Sequence, residues 1–533
     1  MYNNYTPLQQ RQLALQEYSN TQSTYLLVCA PARSTALKAT LTDQLHRKFR
    51  LVDRLGGELT ASVDGVLLAA EDVELMSTAL MFFAKALQDG ADYAVCNAVF
   101  GFGGATALYQ SQPLQAQNRC AVVSRTLLER CRAAAHDPEN VPELLALAAQ
   151  LCTKPTLIPQ ALLHYERGIC AEDAFSAHGK RAFIMSHVLD MTGAPIVLVS
   201  AVPVLRSMGY EVLVLGPSDG GSLHLFLDAG ASVITRSSCR NVSDAWGMAL
   251  CADFVIANTV VMARAVRALS GTAVPVLWWL HDAFAGYPHI AHQIPTQLGE
   301  NVRVYSVGSH AANAMHAVRP DFEIRPLIYG LPDYAAENFV CTDLGYNRGR
   351  PLFATVGSFE RRKGHDIFCK AIRLLPPEVR EKASFLFVGQ AADKEMMDSV
   401  RALTADYPEN VYYCKRLTRD EIKSLMEQCT GLVCASRDDP MPTFVTEGLI
   451  FGKPSIVSEH TGTAGLISEG RNGFVYHNDD PQQLAVLLEY AIEHPEELAS
   501  MRTECRKMYE QYYSKEAFEQ TLRAAVEDLT AKK

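Results

Sequence analysis

Although the sequence carries 14 cysteines, it has no pair at Cys-x-x-Cys spacing and no cysteine and histidine cluster at zinc-finger spacing. The cysteines therefore read as small buried hydrophobes in a reducing compartment, which excludes a disulfide or zinc framework. No uninterrupted apolar stretch approaches the roughly 20 residues that a membrane-spanning helix needs. The start, MYNNYTPLQQRQLALQEYSN, lacks the basic end and apolar run of a secretory signal. Nor is there a basic excess, since the formal net charge is -10 and the pI about 5.9, so no nucleic-acid partner is expected. The expectation is a cytoplasmic protein, with peripheral contact at the inner face of the membrane left open.

What the chain does have is length and apolar content, at 533 residues and 48% hydrophobic, enough for several cores. A polar, Gln-rich segment covers residues 1–24. From Tyr25, the runs YLLVCA, GVLLAA, DYAVCNAVF and CAVVS, with helical patterns between them, give an α/β domain over 25–170. A second series of βα alternations fills 176–340, with AFIMSHVL, EVLVLG, SVITR, DFVIANT, VPVLWWLH and VRVYSVGS. After a linker at Cys341 to Pro351, a third series runs over 345–512, and a terminal helix is expected over 513–533. Such alternation implies parallel sheets, whose ligands sit beyond the carboxyl ends of the strands where the winding reverses. Two such domains in tandem suggest a cleft.

The strongest motif is SRDDPMPTFVTEGLIFGKPSIVSEHTGTAGLISEGRNGFVY, residues 436–476. In it a strand end leads to two acids, Asp439 and Glu447, eight positions apart on either side of a helix start set by Pro440 and Pro442. The free amides in the stretch from Met441 through Pro442 and Thr443 to Phe444, the proline itself having none, would then form an anion or hydroxyl site, with Asp439 at its mouth. The alternative is a pair of solvated acids beside a surface helix. A second motif, VGSFERRKGHD at 356–366, puts Arg361, Arg362 and Lys363 in the loop after the first strand of the third domain. Fixed cations there suit a diphosphate leaving group, although a basic turn taken alone is usually solvated. In VLWWLHDAFAGYPHIAH a buried strand ends in His281 ahead of aromatics suited to stacking on sugar rings; a lone histidine in this position is more often structural. The trio His281, His289 and His292 is too loosely spaced, and too poor in acidic partners, to suggest a metal.

These residues closely resemble the Glu-x7-Glu motif of the retaining group 1 glycosyltransferases, family 4, which have the GT-B fold of two facing Rossmann-like domains. The resemblance implies that Glu447 holds the donor ribose and that Asp439, here replacing a glutamate, lies by the transferred sugar. Lys363 and Gly364 match the family's basic loop, Ser358 stands where an arginine is usual, and Arg362 compensates. YYCKRL, from Tyr412 to Leu417, falls where the family cradles the base. Gly193, in SHVLDMTGAP, falls where a glycine lets the chain approach donor phosphate, and His281 where a histidine supports the reacting sugar. The resemblance further implies front-face attack assisted by the leaving phosphate. A covalent intermediate on Asp439 is the open alternative. The terminal helix would cross back onto the acceptor domain as the cleft closes.

The first domain resembles a shortened family 2 glycosyltransferase of the GT-A type that has lost its catalytic acids. Ala70-Glu71-Asp72 stands where a metal-binding Asp-x-Asp belongs, and Val141 where the base belongs. The competing reading is generic α/β patterning. GFGGA near 101–105 reads as a turn and not as a dinucleotide fingerprint. The expected function is transfer of a sugar from a nucleotide-sugar donor to a glycan, glycolipid or glycoprotein acceptor in polysaccharide or glycoconjugate assembly, with no cofactor and no essential metal. A nucleotide-sugar epimerase of the same fold and a non-catalytic carbohydrate-binding scaffold are the alternatives.

Overall fold

The computed structural model describes residues 21, 23–56, 62–70, 73–102, 105–110, 119–165, 179–217, 220–236 and 244–531. The described residues fall into two compact units: one runs to Val276 and includes Leu298–Val302, the other comprises Leu277–Gln297 and the chain from Arg303 onward. Glu71 and Asp72, Gly103 and Gly104, and nearly all of the 1–24 segment lie outside the described residues.

The first unit is built on short apolar strands: β1 (Leu26–Cys29), β2 (Phe49–Val52), β3 (Gly65–Ala69), β4 (Val73–Leu75), β5 (Tyr93–Phe102), β6 (Ala105–Gln110), β7 (Cys120–Ser124) and β8 (Pro155–Tyr165). They are followed by β9 (Lys180–Met185), β10 (Tyr210–Gly216), β11 (Ser232–Thr235) and β12 (Phe254–Asn258). Their order is β12-β9-β10-β11-β6-β5-β7-β3-β1-β2, with β8 pairing β4 and β5. The strands β9 to β12 are mutually parallel, as are β1, β2 and β3. Between these two parallel groups the hydrogen bonding does not stop. β6 pairs antiparallel with β11 through Gln110 opposite Val233, Tyr109 opposite Ile234 and Leu108 opposite Thr235. Val141 opens the helix Val141–Leu151, where Asn140 caps the first turn, and is buried in the core with Leu144, Leu127 and Val66. Gly193 is the first residue of α1 (Gly193–Ser207), an apolar helix whose inner face includes Leu198, Val202 and Leu205.

The second unit holds the end of β13 (Val276–Leu280), most of β14 (Val302–Ser306), β15 (Ile324–Pro326) and α2 (Ser309–His316). Its larger part is a sheet of β16 (Leu352–Val356), β17 (Ser384–Val388), β18 (Val411–Cys414), β19 (Gly431–Cys434), β20 (Ser455–Ser458) and β21 (Gly473–Tyr476). Every pairing in this sheet is parallel, in the order β18-β17-β16-β19-β20-β21. The winding therefore reverses between β16 and β19, the arrangement that opens a crevice at their carboxyl ends. Helices α3 (His365–Leu374), α4 (Arg419–Gln428) and α5 (Thr443–Ile450) connect the strands, and α6 (Lys515–Thr530) ends the described chain. The linker lies on α4, with the Thr342 amide donating to Ser424 Oγ at 3.1 Å and the Leu344 amide to Gln428 Oε1 at 3.2 Å. Helix α6 is capped by Ser514 and stacks Phe518 on the Trp279 ring at 5.8 Å, while its Asp528 meets Arg325 at 2.7 Å. Among the described residues, no helix is long and apolar enough to cross a membrane.

Candidate active site

The site forms where β16 and β19 release their chains. After β16 the chain makes a tight turn, Arg361–Lys363, and enters α3 through Gly364, which has φ of 66°. A Cβ at Gly364 would lie 1.8 Å from the Ala435 carbonyl oxygen, so only glycine lets this basic turn rest against the end of β19. Arg437, just past β19, fixes the same turn. It binds both carboxylate oxygens of Asp366 at 2.8 and 2.9 Å, Asp479 at 2.9 Å and the Arg361 carbonyl at 2.8 Å. Such a planar, bidentate fork sets geometry as well as charge.

The two strand ends are joined by charge. Lys363 Nζ lies 2.6 Å from Asp439 Oδ2, and Arg362 donates to the Asp438 carbonyl at 2.9 Å with its Nη1 4.0 Å from Asp439 Oδ2. Asp439 is 3% exposed and also accepts from the Met441 amide at 3.3 Å. His365, next along, is pushed down to about 3 by burial and by Lys363, so it stays neutral and the positive charge here belongs to Arg362 and Lys363.

Pro442 then directs the chain into α5, whose first turn has no side-chain cap. The Thr443 and Phe444 amides are thus available to an anion or hydroxyl, whereas the Val445 amide donates to the Pro442 carbonyl at 3.1 Å and the Met441 amide, expected to be open, is taken by Asp439. Met441 and Phe444 are buried, and Thr443 Oγ1 lies 3.2 Å from Tyr329 Oη. On the same helix Glu447 is buried and receives Arg419 Nη1 at 2.8 Å, while the Arg419 guanidinium covers the Tyr334 ring at 3.8 Å. Burial raises the Glu447 carboxyl above its ordinary range, and Arg419 opposes that shift.

His281 follows β13 directly, half-buried, with its ring 4.6 Å from that of Trp279. The next turn, Phe284–Gly286, is held by Asp438, which accepts from the Phe284 amide at 3.1 Å and the Ala285 amide at 2.9 Å. His310 Nε2 reaches the same carboxylate at 2.7 Å. Among the described residues, no three or more His, Cys, Asp and Glu side chains cluster as metal ligands would.

The structure thus brings Arg362, Lys363, Asp439, Met441, Pro442, Thr443, Phe444 and Glu447 onto the β16 and β19 ends and helix α5, which follows β19, with His281 in the same unit. Gly193 belongs to the first unit, where it is exposed and a Cβ would meet nothing within 4 Å. Sequence reasoning missed Asp438, His310 and Arg419. The doubled acid in SRDDP and the polar end of VYSVGSH after a strand were the available signals for the first two. Tyr413, in the expected base-binding stretch, packs its ring 5.5 Å from that of Phe359.

Two family profiles match this chain: "Glycosyl-transferase family 4" over residues 178–318 and "Glycosyl transferases group 1" over 342–508. The chain belongs to the group 1, family 4 glycosyltransferases and has their GT-B fold. It is 25% identical over 194 residues to an uncharacterized glycosyltransferase of Methanocaldococcus jannaschii, covering 36% of this chain and 53% of that protein. It is 26% identical over 154 residues to spore coat protein SA of Bacillus subtilis, covering 27% of this chain and 40% of that one. The chain thus spans about half the length of the curated relatives it matches. Among solved structures, Anabaena HepE in complex with UDP superposes with a TM-score of 0.54 at 18% identity, over 66% of this chain and 100% of HepE. Sucrose-phosphate synthase from Thermosynechococcus elongatus gives 0.53 at 15% identity, over 66% and 100%. At these identities the likeness establishes the fold of the glycosyltransferase region and nothing finer.

Proposed function

We propose that this glycosyltransferase transfers a sugar from a nucleotide diphosphate donor with retention of configuration, and that the donor site is built by Lys363, Arg362, Asp439, Glu447 and the first turn of α5. The observation that carries the proposal is the Lys363 to Asp439 pair at the switch between β16 and β19, with buried Glu447 eight residues past Asp439, just over one turn into α5. A diphosphate entering here would meet Lys363, Arg362 and the open amides of α5, which together stabilise the charge that develops as the glycosidic bond breaks. Glu447, with Arg419 on one oxygen, offers the other to a ribose hydroxyl. The cations supply the positive charge, so no metal is required.

Front-face attack is favoured over a covalent intermediate because Asp439 is already engaged by Lys363 and the Met441 amide, which makes its carboxylate a poor nucleophile. The HepE complexes with UDP and with UDP-glucose support a nucleotide-sugar donor and make UDP the first nucleotide to test. In this proposal residues 176–340 form the acceptor domain, and His281 supports the reacting sugar. Residues 345–512 form the donor domain, and the terminal helix crosses back between them. The acceptor is a glycan, glycolipid or glycoprotein, and residues 25–170 are a degenerate GT-A-like domain that supports docking or assembly.

The test is calorimetric titration of UDP-, GDP-, ADP- and dTDP-sugars into the wild type and the Glu447→Ala and Lys363→Ala variants. A single donor class that binds the wild type and is lost by both variants supports the site. If no donor binds, or if the variants bind as the wild type does, the proposal fails.

A further inference from the structure

We propose that Asp438 is a positioning residue that holds the His281 loop in place relative to the Lys363 to Asp439 pair, with His310 as its partner; this rests on the donor site proposed above. The two adjacent acids of SRDDP are used in opposite directions. Asp439 turns to Lys363, whereas Asp438 turns to the segment that follows β13. That segment needs an outside partner. The turn Phe284–Gly286 begins after Ala283, which has no side chain able to cap it, and no side-chain cap is present. The Asp438 carboxylate fills this role from 154 residues away in sequence, taking the Phe284 amide on one oxygen and the Ala285 amide on the other.

His310, at the start of α2, completes the arrangement. It is 4% exposed, with its ring 5.0 Å from that of Phe284, and its Nε2 shares Asp438 Oδ1 with the Phe284 amide. The Asp438 carbonyl meanwhile receives Arg362 at 2.9 Å, so one residue links the basic turn, α2 and the loop that begins at His281. Because Phe284 lies three residues past His281, the anchored turn fixes the chain on the far side of the histidine, which β13 and the Trp279 ring hold on the near side. Misplacement of a positioned group by about 1 Å can cost on the order of a hundredfold in rate.

The experiment measures hydrogen exchange in the 281–290 segment of the full chain and, with UDP-glucose as the probe, UDP affinity and the rate of UDP release. For Asp438→Ala, exchange at Phe284 and Ala285 should rise about tenfold or more, the scale of one lost charge-assisted hydrogen bond. UDP affinity should stay within about threefold while kcat falls by roughly thirtyfold or more. His310→Ala should act in the same direction. His310→Gln, whose amide can still donate to Asp438, should restore most of kcat. Unchanged exchange in Asp438→Ala overturns the proposal, as does a uniform rise in exchange across the whole unit with UDP affinity and kcat lost together. If the wild type neither binds nor releases UDP, the donor assignment fails for UDP, and the exchange data alone decide the role of Asp438.

Discussion

Replacing Lys363 with Met should strand a buried carboxylate, and the structure sets the size of the effect. The Lys363 side chain is 19% exposed and that of Asp439 5%, so the pair is largely out of water. Removing one partner of such a pair costs about 3–5 kcal/mol, because the remaining charge keeps its desolvation penalty and loses its compensation. Some compensation survives here. Asp439 retains the Met441 amide at 3.3 Å, Ser436 Oγ at 3.5 Å and Arg362 Nη1 at 4.0 Å, which places the loss at the lower end, about 3 kcal/mol. For a unit of this size each kcal/mol shifts the midpoint by roughly 2–4 °C, so Lys363→Met should melt about 6–12 °C below the wild type by circular dichroism. Adding Asp439→Asn removes the stranded charge and should recover most of that loss. Donor binding, measured by calorimetry, should stay absent in both variants, since the cation is still missing. A Lys363→Met midpoint within about 2 °C of the wild type, or a double variant no more stable than the single one, would refute the reasoning.

Two further outcomes follow from the same site. Gly364→Ala places a Cβ 1.8 Å from the Ala435 carbonyl and imposes a left-handed conformation that costs about 1–2 kcal/mol before any clash; a lowered melting temperature and weaker nucleotide binding are expected together. Because burial raises the Glu447 carboxyl above its unfolded value, ionised Glu447 costs stability above its folded pKa, and that cost disappears as pH falls through it. A hydroxyl of the donor needs the ionised form, so nucleotide affinity should weaken on acidification at a higher pH than an ordinary carboxylate would give, and Glu447→Gln should flatten that part of the profile in titrations between about pH 4 and 7.

The third series of strands was legible because β16, β17, β19 and β20 are short strands of four or five residues with apolar centres between polar loops, largely buried on both faces as parallel strands are. The Asp439 and Glu447 spacing and the basic turn were legible as chemistry, but their contact was not. It depends on Gly364 adopting a positive φ against Ala435, which a glycine in the sequence permits without requiring. Asp438 was hidden for a different reason: its partner His310 is 128 residues away, and nothing local distinguishes an acid that caps a remote turn from one that faces solvent. The meeting of β6 with β11 was equally unreadable, since strand patterns report which face is buried and not which neighbour lies alongside.

That last junction bears on how the chain is made. The antiparallel bond between β6 and β11 cannot form until synthesis has passed Thr235, so the early strands must emerge with the β6 edge uncovered. Once the β11 segment arrives, each strand shields the other's open hydrogen-bonding edge. The two parallel groups of the first unit therefore mature as one object on the ribosome, and a gene trimmed to start near β9 would release a protein whose β11 edge is left to find a partner in another copy.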